Sequence, residues 1–138
     1  MTGLVEYFNK QPRLGIMSTA SKDGKVNSAV VGTPQMIDEK TVIVALGSNR
    51  TFANLQNNPN AVYMIMEPAA EILDWKGIRV YLRMKEYLTS GSQFDTYKSQ
   101  MAKVVGEQAA NMTKVLATFE VTEVRPLVDF GQGWEKSI

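Results

Sequence analysis

The stretch ALGSNRTFANLQNNP, residues 45–59, sets the reading of the whole chain. It opens as the end of an apolar strand, turns at Gly47-Ser48 and continues as a short helix. Phe52 and Leu55 stand three residues apart, which places them on one face of that helix. Asn58-Pro59 stops it, because proline drives its predecessor out of the helical region. Just ahead of the helix sit Ser48, Asn49, Arg50 and Thr51. A helix start carries unpaired backbone N–H groups and a partial positive charge, so it suits an anion. Arg50 adds a fork of donors, and the Ser48 and Thr51 hydroxyls add two more. On these residues alone two readings stay open. One is a cradle for a phosphate monoester. The other is an ordinary cap by Ser or Thr, with Arg50 in solvent.

Working outward, 138 residues bound the chain to one domain, 1–138, long enough to bury a core. Hydrophobic residues make up 44% and charged residues 21%, the balance of an ordinary globular protein. The net charge of +1 gives no ground for a nucleic-acid or anionic-membrane partner. No apolar run approaches transmembrane length, and the N-terminus has no signal-peptide core, so a cytoplasmic location is the expectation. Cysteine is absent, which removes disulfides, thiolate metal sites and cysteine nucleophiles. Histidine is absent too, which removes Ser-His-Asp triads and histidine-ligated zinc. An enzyme made from this chain would draw its hard chemistry from a cofactor. No side chain stands out as a catalytic acid, base or metal ligand.

The flanking segments read as short strands and helices. Residues 2–10 predict a helix with Leu4 and Phe8 four apart. Residues 14–21 and 26–35 predict two strands joined by a turn at Asp23-Gly24, where Gly supplies the positive φ of a tight hairpin. Gly32 and Pro34 suggest a bend or an edge in the second. Residues 41–46 are apolar almost throughout, as in a strand covered on both faces. Residues 60–67 predict another strand, and residues 75–89 give the clearest period of two. Ile78, Val80, Leu82 and Met84 point one way, and Arg79, Tyr81, Arg83 and Lys85 the other. Ser92 with Asp95 has the spacing of a capping box ahead of a helix bearing Phe94, Tyr97, Met101 and Val104. Gly106 breaks that helix, and a further turn runs toward Met112. Residues 113–127 predict a last strand. Six strands with short helices and no βαβ rhythm describe a mainly β, antiparallel six-stranded barrel. The glycine patterns of Rossmann and Walker phosphate sites are missing.

Four pieces in this order resemble the pyridoxamine 5′-phosphate oxidase-like family of FMN-binding split barrels, and its small single-domain members most. They are Asp23 to Val31, Val42 to Ser48 with Arg50-Thr51, Asn58 to Val62, and Lys76 to Val80 with Tyr87 to Gly91. Val26 replaces a common proline, and Leu82 a frequent glycine. The resemblance implies a split β-barrel, FMN as cofactor, and a homodimer with the flavin at the subunit interface.

It implies that Arg50 and Thr51 grip the FMN phosphate, with Ser48 and Asn49 as further donors. It implies that Asn27, Ser28, Ala29, Val30 and Val31 run along the ring, with Val44, Ala45 and Leu46 nearby. Arg79 is a candidate for the phosphate or ribityl chain. Trp75 and Trp134 are candidates for the partner aromatic that covers the ring. The vitamin-pathway oxidase holds its substrate with C-terminal arginine and histidine, whereas this chain ends Gly-Gln-Gly-Trp-Glu-Lys-Ser-Ile. A flavin-dependent oxidoreductase of another substrate is therefore the expectation. A deazaflavin-dependent reductase, a flavin carrier or electron-transfer protein, and a binding module without flavin are the alternatives.

Overall fold

The computed structural model describes residues 3–138. The first helix, α1, spans Leu4–Asn9, and Thr2, expected at its start, lies outside the described residues. Seven strands follow rather than six: β1 Gly15–Ala20, β2 Val26–Val30, β3 Gln35–Asp38, β4 Thr41–Leu46, β5 Asn60–Glu67, β6 Lys76–Leu88 and β7 Val115–Pro126. The expected strand 26–35 stops at Val30, and the added strand starts at Gln35 and runs to Asp38. Gly32 and Pro34 end β2 instead of bending it, since proline has no N–H to give a ladder. The chain crosses from β2 to the other end of the sheet and resumes as β3.

All pairings are antiparallel, in the order β2-β1-β5-β6-β7-β4-β3. The sheet curls around one core without closing, because β2 and β3 stand at opposite ends of it and do not pair. Phe8, Met17, Val42, Val44, Tyr63, Val80 and Phe119 are buried in that core. Two side chains tie the split. The Asn9 amide brackets the Met36 backbone, donating to its carbonyl at 2.9 Å and accepting from its N–H at 2.8 Å. The Tyr63 hydroxyl donates to the Val31 carbonyl at 2.6 Å. α1 is further held by the Tyr7 hydroxyl, which donates to Glu67 at the end of β5.

The period of two in β6 is real: Ile78, Val80 and Leu82 are buried, and Arg79, Tyr81 and Arg83 lie on the other face. Register shifts at Tyr81/Leu82 and Met84/Glu86 put extra residues into the β6–β7 ladder, which increases local twist. Gly77 is required where β6 starts. Its φ is +145°, and a Cβ there would collide with the Ile65 carbonyl of β5.

The remaining helices are α2 Arg50–Asn57, α3 Ser92–Val105 and α4 Glu107–Asn111. Ser92 is already helical, so its spacing to Asp95 is not a capping box. Gly91 takes the cap position with no side-chain bond. The tail expected to be irregular closes in a 3-10 turn, Trp134–Ser137. Among the described residues no helix is long and apolar enough to cross a membrane.

Candidate functional site

At the start of α2 the cap is Asn49, neither Ser48 nor Thr51. Its Oδ1 accepts from the Phe52 N–H at 3.0 Å, and its carbonyl accepts from Ala53 at 3.0 Å. The N–H groups of Arg50 and Thr51 precede the first intrahelical bond and have no acceptor in the helix. Arg50 is exposed, and among the described residues it makes no ion pair. Ser48 is exposed as well, whereas Thr51 is only 2% exposed. The open donors are therefore the Arg50 guanidinium and the Ser48 hydroxyl, with the Arg50 backbone amide unpaired in the helix.

α2 lies across β1 and β2. Leu55 anchors it in the core, and Phe52 meets the Tyr87 ring edge-on at 5.0 Å between centroids. A polar contact that the sequence reading missed fixes its position: the buried Asn54 donates to the Thr19 hydroxyl at 3.1 Å. The available signal was an amide three residues after Thr51, on the same buried side as Leu55. Thr19 pairs with Asn27 and Met17 with Ala29, so Asn27 and Ala29 share the side of β2 that faces α2. Ser28 and Val30 point the other way. Ser28 sits 2.9 Å from the Ser18 hydroxyl, and Val30 is 74% exposed. The run from Asn27 to Val31 is thus divided between two faces, with Val31 packed on the core.

Val44 and Leu46 are in the main core, and Ala45 packs on the other face with Met101 and Ala110. None of the three offers its side chain to a ligand. The Ala45 carbonyl accepts from the Thr33 hydroxyl at 2.6 Å.

Arg79 lies three strands from β2, in the row Arg79–Met64–Ile16–Val30, about 14 Å from Val30 at the strand spacing. All three Arg79 nitrogens are engaged. Nε donates to the Pro126 carbonyl at 3.1 Å, Nη1 to the Tyr81 hydroxyl at 3.2 Å and Nη2 to Asp129 at 2.8 Å. Arg125 grips the same carboxylate from the side, at 2.8 and 2.7 Å. Trp134 packs against the core beside β6 and β7, and Trp75 donates its indole N–H to the Ala69 carbonyl at 2.8 Å.

No curated protein matches the chain in sequence. Among solved structures it is similar to an FMN-binding protein from Syntrophomonas wolfei subsp. wolfei. They share 26% identity and a TM-score of 0.74 over 90% of this chain and 82% of that one. It is also similar in fold to HutZ, the heme storage protein from Vibrio cholerae, at 17% identity and a TM-score of 0.68 over 95% of each chain. An F420 reductase shares the fold at 12% identity and a TM-score of 0.64, over 90% of this chain and 98% of that one. The family model described as pyridoxamine 5′-phosphate oxidase matches residues 1–127, and the chain belongs to that family.

Proposed function

We propose that the chain binds FMN in the corner between α2 and β2 and serves as a flavin-dependent oxidoreductase. The observation that carries this reading is an exposed arginine without a counter-charge, set at a helix start beside an edge strand. Arg50, with its guanidinium and its first-turn amide, and the Ser48 hydroxyl would hold the phosphate. Asn27, Ala29 and the unpaired backbone edge of β2 would line the ring, with the backbone of β4 behind. When bound, the flavin supplies hydride or electron transfer. The residues of the chain bind it, orient it and keep water out, and none is assigned as an acid or base. The FMN-binding relative supports this choice. The heme-storing relative supports it less, because this chain has neither histidine nor cysteine for an axial position. A deazaflavin carries a longer phosphodiester tail, and Arg50 is the only cationic residue between Gly47 and Asn60.

The same reading makes the chain a homodimer with the flavin at the seam. Ile16 pairs with Val30 on one side and Met64 on the other, and Ser18 pairs with Ser28 and Val62. These rows form an outward sheet face on which Val30 is exposed and Ile16, Val62 and Met64 are only half-buried. A second copy is the economical cover for such a face. Light scattering should give twice the mass of one chain, and a monomer with full flavin affinity would remove the seam from the proposal.

The direct test is titration of the purified apo-protein into FMN. Saturable fluorescence quenching in the micromolar range or better, about −8 kcal/mol, is expected. A flat titration with FMN would end the flavin reading and leave the fold.

A further inference from the structure

Beyond the end of β2 lies a second cleft of about 660 Å³, in the size range of small-molecule sites. One wall is a single face of α3 that carries Tyr97, Gln100 and Met101. The opposite wall is the 32–35 connection, and Arg13 lies at its inner end. Two contacts set this cleft against β4: the Thr33 hydroxyl bonded to the Ala45 carbonyl, and Met101 packed on Ala45. Gly32 follows Val31 directly, so the cleft also continues the line of β2.

Among the described residues Arg13 is the only charged side chain that lines the cleft. Its Nη1 donates to the Phe8 carbonyl at 2.8 Å and its Nη2 to the Gly32 carbonyl at 2.9 Å. The guanidinium lies 5.3 and 5.2 Å from the ring centroids of Phe8 and Tyr63. Its Nε is buried with no acceptor, and among the described residues no carboxylate pairs with it. A half-buried cation without a counter-charge is costly, and burial holds the Arg13 pKa below its ordinary value. An anion entering the cleft would offset part of that cost. The other polar groups there are neutral. The Gln35 and Gln100 amides can donate, and burial pushes the Tyr97 phenol up in pKa, so it stays a donor. Met101 and Val105 make the wall apolar. One positive charge, neutral donors and an apolar wall suit an apolar body bearing a single carboxylate. A phosphate dianion would meet only one cation.

We propose that this cleft binds a small apolar monocarboxylate and seats the reaction partner of the flavin, the second half resting on the flavin reading above. Benzoate is the probe, with benzyl alcohol and phenyl phosphate as comparators, followed on backbone amides by NMR. Benzoate should shift amides of residues 32–35 and 97–105 saturably, and bind about tenfold or more tightly than either comparator. Gln100→Glu changes an exposed residue of the cleft wall and leaves Arg13 in place. It should lower benzoate affinity about tenfold while leaving benzyl alcohol binding and the thermal midpoint unchanged. Arg13→Gln should abolish the preference for benzoate over benzyl alcohol. Shifts that map elsewhere, equal affinity for benzoate and benzyl alcohol, or indifference to Gln100→Glu would overturn the ligand class. In FMN-loaded protein, benzoate should move the visible flavin band. Saturation of the cleft with no spectral change would overturn the reaction-partner assignment. Benzoate seated in a protein that refuses FMN would remove the flavin reading and keep the cleft as a carboxylate site.

Discussion

Arg50 and Arg79 are the two arginines that the sequence offers to a flavin phosphate, and the structure treats them in opposite ways. Arg79 has carbonyl, phenol and carboxylate acceptors on its three nitrogens. Arg50 stands in solvent at a helix start and has no counter-charge among the described residues. Asp129 is shared with Arg125 and offsets only part of their charge, but an arginine whose three nitrogens all have acceptors gains no new bond from an anion. One left open beside a free amide does. Availability, more than residue type, separates a candidate ligand group from a brace.

The largest expected effect falls on Arg50. Charge-assisted hydrogen bonds contribute roughly 1.5–3 kcal/mol, so Arg50→Ala should weaken FMN about tenfold to a hundredfold. Riboflavin has no phosphate and should bind the variant as it binds the parent chain. Equal losses for both ligands would turn Arg50 into a fold effect and erase the contrast with Arg79. Asn54→Ala tests the same corner from beneath. It removes the partner of the buried Thr19 hydroxyl, at a cost of about 1–3 kcal/mol in urea unfolding. Because it loosens the seat of α2 and not the phosphate contact, it should weaken FMN and riboflavin to a similar extent. A loss confined to FMN would contradict that assignment.

Why one arginine could be placed from sequence and the other could not follows from the reach of local patterns. The strand–turn–helix at 45–59 is local, so its helix, its stop at Asn58 and its exposed Arg50 were all legible. The period of two in β6 correctly sent Arg79 away from the core. It carried no information about Asp129, fifty residues later, or about the register that sets Arg79 in a row with Met64, Ile16 and Val30. The seventh strand was missed for a related reason. Met36 and Ile37 are a short apolar pair after Gly32 and Pro34, and nothing local shows that they begin a strand that pairs with β4 at the far end. The low exposure of Thr51 was not legible, because it depends on the packing of α2 on β1. Asn54 went unnoticed because its partner Thr19 lies on another strand.

Arg79→Ala sharpens the comparison from the other side. Its ion pair with Asp129 is partly exposed, with 27% and 24% of the two side chains accessible, so screening reduces what it contributes. Loss of its bonds to the Pro126 carbonyl and Tyr81 should cost about 1 kcal/mol in urea unfolding. FMN affinity should stay within about twofold of the parent chain, as expected for a side chain whose nitrogens are already engaged by Pro126, Tyr81 and Asp129. A tenfold loss of FMN in this variant would mean that Arg79 reaches a flavin after all, across the proposed dimer seam.

The smallest effect is a local titration. Asp129 is held down to about 2, chiefly by its pair with Arg125, with the Gly131 N–H and Arg79 adding to it. A carboxylate whose folded pKa is depressed contributes fully above its ordinary value of 3.8. That contribution is lost as pH falls through about 2. The brace around residues 126–131 should therefore stay closed at pH 4 and open only in the window below it. The Gly131 amide, which donates to Asp129 at 2.8 Å, is the local reporter. Its NMR shift should titrate with a midpoint near 2, while the Thr51 amide at the other end of the sheet does not follow it. Arg125→Gln removes the main cause and should move that midpoint up toward the ordinary value, and Asp129→Asn should abolish the transition. A Gly131 midpoint already near 3.8 in the parent chain would show that Asp129 is not paired, and Arg79 would then be as available to an anion as Arg50.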